Sequence, residues 1–319
     1  MEPEVITVGL DGSPESLAAA HWAADEADRR QSALRLLHAC ILLAAETPHP
    51  PADRDRNAGA REIVRRARDE VCERHPDLRI IEDLVGAEAE PALLGAAGES
   101  RMIVLGSRAL GPWESYVLGD VSLNVVGRAK GPVVLVREEG GRAKAPRHEP
   151  PRHEPPRHEP PRHGPSRHER PDGPPPAPEA RVVTGLSLNG PCERMLDFAF
   201  DAAASRGLSL QAVHGRPLPM EAYTPWGLDP DAATELTKEA DVELQDALRP
   251  WCERFPEVPV QRTVLAESPT RALVQSVFGA ALLVVGRKLH RPPLAPRVGP
   301  VAHAAMHHVT CPIAVVPHE

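Results

Sequence analysis

Short apolar runs alternate with longer amphipathic stretches along most of this chain. Val5-Ile6-Thr7-Val8, Met102-Ile103-Val104-Leu105 and Val133-Val134-Leu135-Val136 are continuous and apolar. Runs of this kind, separated by helical patterns, predict parallel strands covered on both faces. The expected order is a strand at 5–9, a helix to about residue 30, a strand within 34–43 and a charged amphipathic helix over 58–74. A strand at 79–84, a short helix over 91–98, a strand at 102–106, a helix over 121–128 and a strand at 132–136 follow. Ser13-Pro14 opens the first helix, with Ser as N-cap and Pro in the first turn. Pro76 closes the second.

The pattern then repeats. Gly9-Leu10 recurs as Gly185-Leu186, and Leu37-His38 as Val213-His214, both 176 positions on. Cys72-Glu73-Arg74 recurs as Cys252-Glu253-Arg254, and Gly106, Gly119 and Pro132 as Gly286, Gly299 and Pro312, all 180 positions on. A constant register broken by one net insertion of four residues is the mark of duplication. Between the copies, PRHEP appears three times from Pro146, followed by PRHGP and SRHER. Proline at this density lacks amide donors and has fixed φ, which predicts a solvated polyproline II spacer. The expected organisation is a first domain at 1–138, a disordered linker at 139–180 and a second domain at 181–319.

Composition narrows the function classes. The net charge is −8, which argues against a large phosphate-neutralising nucleic-acid surface. Every apolar run is strand-length, so no membrane span is expected. Met1-Glu2-Pro3-Glu4 lacks the basic start of a secretion signal. The five cysteines are scattered and form no CxxC pair, so neither a disulfide framework nor a zinc knuckle is expected. A reducing cytoplasm is the expected location.

Doubly wound parallel sheets bind ligands at the carboxyl ends of their strands. Three loops of the first copy lie there: Gly9-Leu10-Asp11-Gly12-Ser13, His38-Ala39-Cys40, and Gly106-Ser107-Arg108 with Gly119-Asp120 beyond it. The elements VGxDGS, VLGS and a closing PVVLV resemble the universal stress protein family over about residues 4–138. The second copy, with VVGR, RVGPVAHAAMHH and CPIAVVPH, resembles the C-terminal halves of tandem actinobacterial members. The resemblance implies an α/β fold: two doubly wound five-stranded parallel-sheet domains in tandem, Rossmann-like and akin to the adenine nucleotide α-hydrolases. It also implies self-association through the last strands, either within the chain as a pseudo-dimer or between chains as a homodimer. In one subclass it implies ATP.

The ATP pattern is glycine, two residues, glycine, nine residues, glycine, then Ser or Thr. Here Ala109 and Asp120 break it in the first copy, and Leu289 and Pro300 in the second. The aspartate on the adenine side is Asp11 in the first copy but Ser187 in the second. Asp120 is expected at the helix N-cap, where its carboxylate takes the amides a phosphate would use and repels a polyanion unless magnesium bridges them, and Pro300 has no amide to offer. The candidate cofactor-binding residues are Gly9, Asp11, Ala39, Gly106, Arg108, Gly119 and Asp120, with ATP and Mg as the candidate ligand. Arg108 reads equally as a phosphate ligand and as a solvated loop residue.

No other motif adds chemistry. The histidines at 148, 153, 158, 163 and 168 do not stack on a three-residue polyproline turn. His303 and His307 are spaced i, i+4 but lack a neighbouring carboxylate, so no metal site is expected. Cys40 reads as core at a strand end rather than a redox thiol. GxxxxGK[ST], GxGxxG and GxSxG are absent, and no catalytic residue is expected. Two classes stand: a non-enzymatic regulatory stress protein acting through protein contacts, and an ATP-binding sensor using the first domain.

Overall fold

The structure, a computed structural model, describes residues 4–41, 51–107, 119–137, 180–188, 190, 192–217, 223–224, 227–228, 230–290 and 296–319. In the first half, chain order is β1 (Val5–Gly9), α1 (Pro14–Arg29), β2 (Ala33–Ala39), α2 (Pro51–Arg74) and β3 (Ile80–Val85). Then come α3 (Ala89–Glu99), β4 (Met102–Ser107), α4 (Asp120–Arg128) and β5 (Val133–Arg137). The second half begins with β6 (Arg181–Gly185), α5 (Glu193–Ala204), β7 (Ser209–Gly215) and a small hairpin, β8 (Tyr223–Thr224) and β9 (Gly227–Leu228). It continues with α6 (Pro230–Arg254), β10 (Val260–Leu265), α7 (Pro269–Ser276), β11 (Ala280–Lys288), α8 (Pro300–His308) and β12 (Ile313–His318).

The two offsets of the sequence recur in these bounds. β6 and β7 repeat β1 and β2 at 176, while β10 and α8 repeat β3 and α4 at 180. The extra residues therefore fall between β7 and the end of α6, where the hairpin sits. That hairpin has no counterpart among the described elements of the first half and no pattern signal in the sequence. The linker repeat lies outside the described residues.

Each half is a parallel sheet with helices on both faces, in the order β3-β2-β1-β4-β5 and β10-β7-β6-β11-β12. The two join through β5 and β12 into one ten-stranded sheet. That junction alone is antiparallel, pairing Ile313 with Leu135, Ala314 with Val134 and Val315 with Val133. Offset by 180, this register maps onto itself about the Val134–Ala314 pair, so a pseudo-two-fold axis passes there.

Residue size explains how the helices lie. α1 presents Ala19, Ala20, Ala23, Ala24 and Ala27 to the sheet, all fully buried. With no large side chain between them, α1 and β4 come so close that a Cβ on Gly106 would lie 2.5 Å from the Glu15 backbone carbon. The second half fills the same layer with larger groups, and Phe200 of α5 stacks on Trp251 and Phe255. On the opposite face, Leu93 and Ala96 of α3 pack with Val125 and Val126 of α4.

Candidate functional site at the carboxyl edge of the sheet

In each half the order reverses beside the first strand, and the loops after β1 and β4, or β6 and β11, open to one edge. In the first half Ser13 caps α1, its Oγ accepting the Ser16 amide at 3.2 Å, with Pro14 in the first turn. Asp11 lies beneath it. Its carboxylate accepts the Ser13 amide at 2.9 Å and the Ser13 hydroxyl at 2.5 Å. An aspartate held this way builds the turn that presents the helix start. Gly12 supplies the left-handed conformation there, at φ 83°.

A half-buried hydrogen bond braces this edge and is duplicated. His38 donates its Nδ1–H to the Leu10 carbonyl at 2.8 Å, and His214 donates likewise to Leu186 at 2.9 Å. Both residues of each pair are related by 176 positions. Ala39 ends β2 opposite Val85, and the Cys40 amide donates to the Val85 carbonyl at 2.9 Å.

The candidate glycines have different surroundings. A Cβ on Gly9 would lie 2.8 Å from Leu105, and one on Gly106 would strike the α1 backbone. Both are packing positions as well as edge positions. Gly119 has nothing within 4 Å of an added Cβ and is the N-cap of α4. Asp120 is thus the first helical residue rather than the cap, and its charge meets the positive end of the helix dipole from inside the first turn. Arg108 and residues 109–118 lie outside the described residues. A cavity of about 540 Å³ adjoins the Asp11 loop between α1 and α2, lined by Leu10, Gly12, Ser13, His21, Ile63 and Arg66.

The second half holds a larger cavity, about 740 Å³, at the matching edge. Ser187, His214, Arg216, Gly286, Lys288 and Pro300 are among its walls. Cys192 also lines it, and burial, followed by the charge of Glu193, raises its thiol pKa. At this edge the protein's own groups engage one another. β11 runs past Gly286, pairing Arg287 with Pro317 and Lys288 with His318. The Leu289 amide then donates to the His318 carbonyl at 2.7 Å. The His318 ring covers Gly286, its Nε2 only 2.6 Å from where a Cβ would sit. Pro300 brings no amide to the start of α8.

Arg287 turns away from this edge and crosses to the first half. Its Nη1 donates to the Gly127 carbonyl at 3.1 Å and its Nη2 to that of Ala129. Arg137 makes the reverse crossing, donating to the Met306 carbonyl at 2.6 Å. Both arginines meet helix C-termini, where free carbonyls attract cations.

The opposite edge carries a second bridge that sequence patterning missed. Glu26 of α1 is 1% exposed. Its carboxylate accepts from Arg30 at 2.5 Å and from Arg206 at 2.6 Å, and it also pairs with Arg29. Arg30 continues to Asp201 at 2.5 Å, and Arg101 joins Asp201 at 3.0 Å. The Arg206 guanidinium lies over Trp22, 5.7 Å from the ring centroid. The only signal available in the sequence was Glu26 spaced i, i+4 from Arg30, which reads as a solvated helix face.

Two copies of one family model, described as the universal stress protein family, match residues 3–137 and 180–317. The chain belongs to the universal stress protein family. A universal stress protein of Mycobacterium tuberculosis is 30% identical over 97% of this chain and 96% of its own length. A second from that organism is 26% identical over 89% of this chain and 86% of its own. Among solved structures, a universal stress protein from Archaeoglobus fulgidus aligns over all of both chains with a TM-score of 0.65 at 12% identity, a likeness of fold. The match thus runs along most of the length of both relatives, and the two family segments divide this chain between its halves. No helix among the described residues is long and apolar enough to cross a membrane.

Proposed function

We propose that this universal stress protein is a regulatory stress-response protein that acts through protein contacts as a tandem pseudo-dimer, with a degenerate nucleotide site. One observation carries the reading: in the second half the ladder continues beyond Gly286, so that the Leu289 amide is taken by His318. A phosphate at this edge needs free amides and a helix start. Here the strand takes an amide, Pro300 removes another and the His318 ring covers the glycine. In the first half, Asp120 places a carboxylate in the first turn of α4, where a polyphosphate would have to approach. Arg287, next to the site glycine, serves the contact between halves instead.

A second reading is a nucleotide sensor using the first half, with weak or no hydrolysis. The Asp11 loop and the adjoining cavity of about 540 Å³ favour it. Calorimetric titration with ATP and magnesium separates the two. The contact reading expects no saturable heat. A saturable isotherm that Asp11→Ala abolishes would establish the sensor instead.

A further inference from the structure

The contacts between the two halves are not equivalent, although the halves are copies. Glu26 binds arginines from both sides of the pseudo-axis, Arg30 and Arg206, which occupy equivalent positions 176 apart. The position equivalent to Glu26 is Ala202. Arg287 reaches the carbonyls of Gly127 and Ala129, and the position equivalent to Arg287 is Ser107. Ser107 is buried, and its hydroxyl has no partner among the described residues. Gly127 leaves room for Arg297, whose Cβ would lie 3.2 Å from a Cβ added there. The position equivalent to Gly127 is His307.

These asymmetries penalise pairing of like halves. Two first halves would place Ser107 where Arg287 belongs, twice. The carbonyls of Gly127 and Ala129 would then lose the cation that satisfies them in a buried position. Two second halves would bring Arg206 to Arg206 with Ala202 between them, so that each guanidinium keeps its own Ala202 carbonyl and Asp201 but has no Glu26 carboxylate. They would also set the His307 side chain against Arg297 at a Cβ separation of about 3.2 Å, a tight approach that glycine avoids. The unlike pair alone meets all three requirements.

We propose that this interface accepts only an unlike half, so that the β5 face of the first half receives the β12 face of the second and excludes a second copy of itself. Specificity of this kind comes from what the wrong pair lacks or clashes with as much as from what the right pair gains. It follows that the chain closes on itself rather than joining a second chain through like last strands. The inference is independent of whether either half holds a ligand.

The test uses full-length chains carrying Val134→Cys, Ala314→Cys or both, at the buried pair on the pseudo-axis. A protease site inserted between residues 138 and 179 allows the tether to be cut after folding. Links formed on mild oxidation are identified by peptide mass, which separates them from those of the native cysteines. The double variant is expected to give the 134–314 link before and after cutting. Each single variant is expected to give no 134–134 or 314–314 link in either state, and uncut chains to scatter light as one chain of 34.5 kDa. Like-with-like links in uncut chains would overturn the proposal. Such links appearing only after cutting would overturn it too, since the tether and not the contacts would then set the pairing. Absence of the 134–314 link in a folded double variant would refute the unlike pairing itself.

Discussion

Val134 of β5 lies opposite Ala314 of β12, and neither side chain is exposed to solvent. The pair sits where two five-stranded sheets become one, so a charge placed there has no water and no partner. Ala314→Asp is expected to destabilise the chain by at least about 2 kcal/mol, read from urea denaturation monitored by circular dichroism. A midpoint equal to that of the unaltered chain would contradict the junction.

Glu26 should matter as much, for a different reason. Its removal leaves Arg30 and Arg206, 5% and 9% exposed, facing each other without their shared carboxylate. Breaking a buried ion network by deleting one member costs about 3 kcal/mol or more. Glu26→Ala should show this loss in denaturant, while Glu62→Ala on the exposed face of α2 should change stability by less than about 0.5 kcal/mol.

The edge glycines are expected to separate by their surroundings. Gly106→Ala drives a methyl into the backbone of Glu15 and Ser16, which cannot yield as a side-chain end would. A loss of about 1–3 kcal/mol is expected. Gly119→Ala meets nothing within 4 Å and has an ordinary negative φ, so its midpoint should barely move. Equal effects of the two substitutions would contradict the packing account of Gly106.

Much of this fold was legible in the chain. The apolar pattern gave β1, β3, β4 and β5 within about one residue but placed β2 only within 34–43, and Ser13-Pro14 marked the first helix at its observed start. The fixed offsets gave the duplication and located its one insertion. What stayed hidden has long-range causes. Arg287 reads as the start of a polar loop after VVG, but its partners are carbonyls about 160 positions away, and β11 extends through it. Glu26 and Arg206 carry no sign of burial in the sequence, because it depends on a segment 180 residues distant that packs over each. The β8–β9 hairpin has no apolar alternation to announce it. At the candidate site the sequence placed Gly9, Asp11, Ala39, Gly106 and Gly119 at one edge, but not the occupied amide of Leu289 or the His318 ring over Gly286.

Stability should also fall at alkaline pH. Burial pushes the Cys311 thiol from 9.0 up to about 11, with the charge of Arg137 opposing. The folded chain therefore holds that proton more tightly than the unfolded chain. The contribution is complete below about pH 9 and is lost as pH rises toward 11, by up to about 2 kcal/mol. Burial raises the Cys192 and Cys252 thiols as well, so they act in the same sense. Denaturation midpoints between pH 8 and 11 should decline, and Cys311→Ala should make the decline shallower. An unchanged slope in that variant would rule out this assignment.

The central claim is that the duplicated scaffold has been kept for contact between its halves and with partners, while its phosphate-holding groups have been given other tasks. The most direct measurement is the nucleotide content of the chain purified under native conditions, by denaturing extraction and mass spectrometry. The account expects a bare protein, with adenine nucleotide far below one per chain even after incubation with ATP and magnesium. One nucleotide retained per chain would contradict it.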